Sequence, residues 1–403
     1  MEAAASRARE GVPCRVPALA DSVNRDDRLA LVSLRCGGQN CHVDVDFADG
    51  VTWIARIRLA DPLLPPPATQ ARITLSEVAT LQFLSQTKVP APKVYAYSLE
   101  SPENPVGVSY QLMEKLPGTP LDWRQATSEQ QDKVMEQLAD VYLQLEQHPL
   151  PLTGSLFPAP DAPDGSGLKV GPFAQVPCFE SPEAALGPFE NLEASYTTLI
   201  RQQLRALANR EESALPVDNY LSFLWRLDML PELVAACASP AGPFYLKHYD
   251  DKGDHILVDD DFNITGIIDW EFASAETREL AFATPCLMWP VREYYQGSNE
   301  LAAEETRFAA MFDRRGRHDM GDLVRRGRRW QRYLFFLGGS LPRTVGEFES
   351  LFQGLRKSFA GVEGAAALSS YANWKREVLD RFAGQDAVLR DLLVDHPEQT
   401  NGR

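Results

Sequence analysis

No stretch of this chain approaches the ~20 consecutive apolar residues that a bilayer span requires, and none of its six cysteines stands in a C-x-x-C pair. Cys14, Cys36, Cys41, Cys178, Cys237 and Cys286 are too sparse for a disulfide scaffold and have no zinc spacing, so reduced intracellular thiols are expected. Cations are in short supply as well: 40 Lys and Arg against 56 Asp and Glu leave a net charge of −16. Such a field repels a phosphate backbone unless a local basic groove overrides it. The one basic stretch, Arg314, Arg315, Arg317, Arg325, Arg326, Arg328 and Arg329, reads as a solvated helix face rather than a groove. Neither a nucleic-acid nor a membrane partner is expected. The N-terminal segment lacks the apolar centre of a secretory signal and contains acids that a transit peptide avoids, which points to a cytoplasmic protein.

What is present suffices for a substantial core, since 44% of the 403 residues are hydrophobic and the length suggests two or three folding units. Residues 1 to 28 read as a tail. Val43, Val45 and Phe47 then alternate with His42, Asp44 and Asp46, the period of a half-buried strand. Ala48-Asp49-Gly50 supplies a hairpin turn, and Trp53, Ala55, Ile57 and Leu59 predict the return strand. After a proline break at Pro62 to Pro67, Val78, Leu81 and Leu84 share one side of a predicted helix. Two further strands lead to a linker at Pro117-Gly118, closing a small α+β unit over 29–118.

The remainder, 119–403, is predicted to be mainly helical. Thr127 or Ser128, followed three residues later by Gln130 or Gln131, has the spacing of a capping box, and Val134, Leu138, Val141, Tyr142 and Leu145 follow the helical repeat. Residues 149 to 187, rich in Pro and Gly, predict a long irregular excursion. Inside this helical region HILV and ITGII, separated by DDDFN, predict a short β-hairpin, and Gly338-Gly339 and Gly361 to Gly364 punctuate the later helices.

The densest polar stretch is FYLKHYDDKGDHILVDDDFNITGIIDWEFA, residues 244–273. Asp250 precedes the hairpin and Asp269 follows it, so the fold-back brings two carboxylates together. Such a pair suits a proton-accepting base and a ligand for a divalent cation.

On these residues the chain resembles the aminoglycoside phosphotransferase and choline kinase-like family, nearest to its fungal-type members with W-[IV]-x-R-I and I-D-W-E-F-A. The resemblance runs from about Leu31 to Ala273. It implies a two-lobed protein kinase-like α+β fold, with an antiparallel N-lobe and a helical C-lobe whose catalytic loop is 246–273. It also implies ATP as donor, Mg2+ (or Mn2+) as cofactor and a small-molecule hydroxyl as acceptor. Asp250 matches the catalytic base and Asp269 the metal-binding aspartate. His248 matches a structural loop histidine, and Lys252 a lysine near the transferring phosphate. Arg56 stands where the family has its phosphate-holding lysine, with Glu77 as helix partner; a guanidinium fork also binds phosphate. Gly37-Gly38-Gln39-Asn40 matches the phosphate-covering turn, without a G-x-G-x-x-G pattern, and Met113-Glu114-Lys115 matches the adenine hinge. His255 replaces the family's metal-binding asparagine, with Asp254 as its neighbour. That departure motivates the alternative of a weak or inactive pseudokinase used as a binding module. A metal-dependent hydrolase built on His248, Asp250, Asp254 and His255 is the third reading, although no H-x-H or H-E-x-x-H pattern supports it.

Overall fold

The computed structural model describes residues 1–59, 65–162, 167–174, 186–210, 213–335, 337 and 341–399, the side chains of 362, 363 and 365–367 apart. Residues 62–64 of the proline break, Cys178 and the Gly338-Gly339 pair lie outside the described residues. The chain divides into two compact units. The first comprises Met1–His148, Ser155–Ala174 and His248–Ser274, and the second Pro149–Gly154, Gln175–Lys247 and Ala275–Arg403.

The first unit is built on a five-stranded antiparallel sheet. Its strands are β1 (Cys14–Arg15), β2 (Asn40–Phe47), β3 (Thr52–Arg58), β4 (Val94–Ser98) and β5 (Tyr110–Glu114), in the spatial order β1-β2-β3-β5-β4. The predicted β2–β3 hairpin forms with Asp46 opposite Thr52. Gly50 N–H donates to Phe47 O at 3.0 Å, Phe47 N–H donates to Val51 O at 2.8 Å, and Gly50 takes φ +86°, where a Cβ would be strained. Val43, Val45, Phe47, Trp53 and Ala55 face one side and pack with Tyr110 and Leu112. Residues two apart on a strand share a face, so Arg56 and Arg58 project from the other side, where both are buried.

Helix α1 (Glu2–Ala8) and α2 (Arg25–Ser33) precede β2, so the segment expected as a tail is instead part of the fold. Ala5, Val16 and Ala18 are buried in the sheet's core, and β1 pairs with β2 through Cys14 opposite Phe47. The apolar spacing of this segment is too short to announce itself, and only the sheet face gives it a partner. Helix α3 (Pro67–Leu84) buries Val78, Leu81 and Leu84 as its repeat predicts, together with Glu77. After the two-residue β6 (Thr119–Pro120), helix α4 (Ser128–Glu146) starts on the predicted capping box. Thr127 N–H donates to Gln130 Oε1 at 2.8 Å, and Gln130 N–H donates to Thr127 Oγ1 at 3.3 Å.

The 149–187 excursion is less irregular than expected, since β7 (Ser155–Pro158) and β8 (Leu168–Gly171) pair antiparallel within it. β9 (Tyr245–Lys247) leads into the loop before β10 (Ile256–Val258) and β11 (Ile264–Ile267), which form the predicted hairpin with Ile256 opposite Ile267. Residues 248–274 group with the sheet-bearing unit, whereas the sequence placed 246–273 with the helical part. The reason is local pairing: β10 bonds to β6, and Ile267 N–H donates to Pro90 O at 2.6 Å.

The second unit is mainly helical, with α5 (Leu192–Ala208) and α6 (Pro216–Ala236) and further helices from Arg278 to Asp395. Its core joins Leu192, Tyr196, Phe223, Trp330, Tyr333, Phe352 and Trp374. Gly361, at φ +68°, breaks the helical run Val345–Ala367 as its position suggested. The basic stretch is only partly a solvated face. Arg325 and Arg326 are exposed, but Arg328 is buried with its Nη2 2.6 Å from Glu305, because an internal carboxylate draws its guanidinium inward. Among the described residues no helix is long and apolar enough to cross a membrane.

Candidate active site

The site begins as three side chains abreast on the sheet of the first unit. Arg56 on β3 lies opposite His42 on β2 and opposite Gln111 on β5. One register step away Arg58 faces Asn40. Gln111 donates from Nε2 to Glu77 Oε2 at 2.6 Å, which aims the α3 carboxylate at Arg56. Arg56 Nε is 3.2 Å from the same Oε2, so the expected Arg56–Glu77 ion pair is present.

Two more carboxylates arrive from the segment after β11. Ile268 N–H donates to His255 O at 2.9 Å, and Trp270, buried, donates its indole N–H to Ile267 O at 2.9 Å. Between these anchors Asp269 takes φ +59° and, three residues on, Phe272 takes φ +69°. A left-handed backbone at a non-glycine residue is costly and is kept where the surroundings impose it, often at working sites. The bend sends Asp269 and Glu271 to one guanidinium: Arg56 Nη2 donates to Asp269 Oδ1 at 2.7 Å and to Glu271 Oε2 at 2.6 Å. Glu271 also receives Asn40 Nδ2 at 2.9 Å and a short hydrogen bond from Arg58. Glu271 is buried, while the side chain of Asp269 stays 41% exposed.

The electrostatics follow from this crowding. Burial, reinforced by Glu271 and Asp269, pushes the Glu77 carboxyl up to about 7 despite Arg56. Burial also raises Asp269, but the Arg56 guanidinium outweighs it and holds the carboxyl below its usual range. Burial opposes the charge on Arg56, and the three carboxylates together more than restore it, keeping its pKa above the ordinary value. Burial first, then Arg56, pulls His42 down to about 4. A neutral His42 can therefore accept at Nε2 from Arg56 Nη1, 3.2 Å away.

The loop before β10 supplies the other predicted groups. Asp250 is half-exposed, and Lys252 Nζ lies 3.1 Å from its Oδ1. Partial burial disfavours the Lys252 ammonium, but Asp250, Asp254 and Asp269 outweigh it and raise its pKa, so the loop acids and Asp269 act on one cation. His248 is a packed residue, as expected. Its Nε2–H donates to Ile268 O at 2.9 Å, its ring lies 4.8 Å from that of Trp270, and burial lowers its pKa. The His255 ring lies 4.3 Å from the His248 ring, and its Nδ1 accepts from Gly253 N–H at 3.3 Å, so a metal role at this position falls to Nε2.

Other predicted residues stand further from this cluster. Gly37 and Gly38 form the exposed tip of a tight turn. A Cβ at Gly38 would meet nothing within 4 Å, and one at Gly37 only Asn40 O at 3.8 Å, so neither position requires glycine for space. Met113 is buried within β5, while Lys115 Nζ pairs with Asp44 Oδ1 at 2.9 Å. Any hinge contact at these two residues therefore falls to the backbone. Among the described residues no three His, Cys, Asp or Glu side chains are grouped to hold a metal.

Sequence reasoning gave no site role to Glu271, Arg58, His42 and Gln111, and read Asn40 only as part of the phosphate-covering turn. One signal was available: Arg56 and Arg58 sit two apart in an otherwise apolar strand, which forces two cations onto one face and demands nearby acids.

The chain resembles known proteins in three ways. A curated relative, a subtelomeric hrmA-associated cluster protein of Aspergillus fumigatus strain Af293, is 41% identical over 91 residues, 22% of this chain; the match spans only 18% of that relative's length. Among solved structures, an ethanolamine kinase of Plasmodium vivax is 13% identical with a TM-score of 0.45, covering 79% of this chain and 75% of its own. The choline kinase LicA of Streptococcus pneumoniae is 12% identical with a TM-score of 0.38, covering 82% and 98%. The model of the APH family, described as the phosphotransferase enzyme family, matches residues 39–293, well over half of the 403 and a span that takes in every acid and arginine of the cluster. The chain belongs to the phosphotransferase enzyme family.

Proposed function

We propose that the chain moves the γ-phosphoryl group of ATP to a hydroxyl of a small molecule in a magnesium-dependent reaction in the cytoplasm. The observation that carries this reading is the Arg56 junction, where one buried guanidinium meets Glu77, Glu271 and the half-exposed Asp269.

The residues fit a divalent cation. Two arginines, Arg56 and Arg58, face three carboxyl groups, Glu77, Glu271 and Asp269, so once Glu77 ionises, above about pH 7, the cluster carries one anion more than its cations. Asp269 is the acid among them that reaches solvent, and oxygen ligands suit magnesium or manganese. Asp269 would hold the metal, with His255 Nε2 or Asp254 as the neighbouring candidates. A magnesium ion held there would supply positive charge against the negative charge that develops on the phosphoryl group.

The chain's own residues do the rest. In this reading Arg56 would exchange part of its contact with Asp269 for the donor phosphates, with Glu77 holding its Nε. Gly37 and Gly38 would cover the phosphates, and the backbone at Met113 to Lys115 would meet the adenine. Asp250 would accept the hydroxyl proton of the acceptor and aim its oxygen at phosphorus, while Lys252 offsets charge on the moving group. Positioning and charge neutralisation supply most of the acceleration in such transfers.

The test is ATP consumption over a panel of hydroxyl compounds with magnesium or manganese, comparing wild type with Asp250→Ala and Asp269→Ala. Loss of turnover in both variants is expected. Full activity in Asp269→Ala would sink the mechanism, and nucleotide binding without turnover on any acceptor would return the chain to a binding module.

A further inference from the structure

We infer that Cys36 and Cys41 form a reversible disulfide across the turn Gly37-Gly38-Gln39-Asn40. The two residues are opposite one another in an antiparallel bridge. The flanking hydrogen bonds, Gly37 N–H to Asn40 O at 2.8 Å and His42 N–H to Arg35 O at 3.0 Å, make Cys36 and Cys41 the non-hydrogen-bonded pair of the ladder. In such a pair the Cα atoms approach to about 4.5 Å, inside the ~4.4–6.8 Å window of disulfides. Both sulfurs point to the same place, since Cys36 Sγ donates to Val32 O at 3.2 Å and Cys41 Sγ lies 3.9 Å from that oxygen. Both thiols are free in this structure.

The two differ in access, which sets the order of events. Cys36 is exposed and Cys41 is 4% exposed. Burial, with Cys36 beside it, pushes the Cys41 thiol up to about 12, so Cys36 reacts first. The Cys36 thiolate attacks one sulfur of a small-molecule disulfide of the glutathione type, and one thiolate leaves and takes up the proton that Cys36 gave up. Cys41 then loses its proton and attacks Cys36 Sγ, and the second small thiol departs with that proton. Two protein thiols are oxidised by two electrons and one external disulfide is reduced to two thiols.

The bond would tie down a turn that feeds the arginine cluster. Asn40 Nδ2 donates to Glu271 at 2.9 Å, and Gln39 Oε1 accepts from Arg58 in a short hydrogen bond. Its formation is read by mass, independently of whether the site transfers phosphate.

The full chain is equilibrated with oxidised glutathione, quenched in acid, alkylated and digested with trypsin. Cleavage after Arg35 and Arg56 leaves both cysteines on one peptide, Cys36–Arg56. The expected peptide is lighter by two hydrogen masses and takes no alkyl label; after reduction it takes two labels. Cys41→Ser should instead stop with one glutathione on Cys36. Two alkyl labels on the wild-type peptide under full oxidation, or a glutathione adduct on wild-type Cys36 that never resolves, would overturn the assignment.

Discussion

The buried ions of the two units are balanced differently. In the helical unit two buried ion pairs are matched one to one, Lys375 Nζ 2.5 Å from Asp218 Oδ1 and Arg328 Nη2 2.6 Å from Glu305 Oε2, while Arg226, Arg332 and Arg356 are buried on carbonyl, hydroxyl and amide oxygens. All four paired side chains are within 6% of full burial. In the sheet-bearing unit two arginines serve three carboxylates, and one of those, Asp269, sits half-exposed on a left-handed backbone. A matched pair under cover has nothing left to do but hold structure. A surplus acid held at the surface by strain is available to a ligand.

That difference predicts opposite phenotypes. Asp269→Ala should lower turnover by about a thousandfold, as losing a charge-stabilising group does, and leave the melting temperature within a few degrees of wild type. Asp218→Ala should strand Lys375 without a counter-charge and cost about 3–5 kcal/mol of stability, with the folded fraction keeping its kcat. Chemical denaturation and steady-state kinetics on both variants decide it. A destabilised Asp269→Ala with normal turnover would reverse the comparison.

Glu271 lies between the two types, buried like a structural ion yet bonded to the arginine that meets Asp269. Glu271→Gln keeps an oxygen and an amide in place but leaves two arginines with one charge fewer. It should raise the KM for ATP about tenfold, worth ~1.4 kcal/mol, while kcat falls less. A purely structural Glu271 would leave KM unchanged and only lower the denaturation midpoint.

The surplus charge also has a pH signature. Burial and then its acidic neighbours raise Glu77 from 4.5 to about 7. Between those values the folded protein binds a proton that the unfolded chain has released, so this group's contribution is full below 4.5 and is lost as pH rises through about 7. His42, lowered from 6.5 to about 4, runs the other way: its contribution is present above 6.5 and lost as pH falls through about 4. The difference between wild type and Glu77→Gln isolates the first slope. Unfolding free energies measured from pH 4.5 to 8 should fall more with rising pH in wild type than in Glu77→Gln. Parallel curves would show that Glu77 does not hold its proton in the cluster.

What could be read in the sequence was what is local. The β2–β3 hairpin, the Thr127–Gln130 capping box and the β10–β11 fold-back each lie within a short window whose spacing states the geometry. Asp250, Asp269, Arg56 and Glu77 were singled out because motif positions mark them, and the structure brings Arg56, Glu77 and Asp269 together. Glu271 was not, since its partners Arg56, Arg58 and Asn40 lie 215, 213 and 231 residues away and no periodicity spans that interval. The packed N-terminal segment escaped for a related reason: Ala5, Val16 and Ala18 are ordinary apolar residues until a sheet is there to cover.

His255 gives the smallest and sharpest test, because it stands beside the surplus-charge site yet is packed like a structural residue. Its ring lies 4.3 Å from that of His248, and its Nδ1 accepts from Gly253 N–H. His255→Asn keeps an acceptor near Gly253 and loses the ring contact, a change expected to cost about 1 kcal/mol of stability. If Nε2 of His255 meets the metal, exchanging imidazole for a carboxamide oxygen favours the harder ion. The ratio of magnesium-supported to manganese-supported activity should then rise, by less than about tenfold. An unchanged ratio with the same small loss of stability would place His255 with the matched, structural ions and leave Asp269 to hold the metal without it.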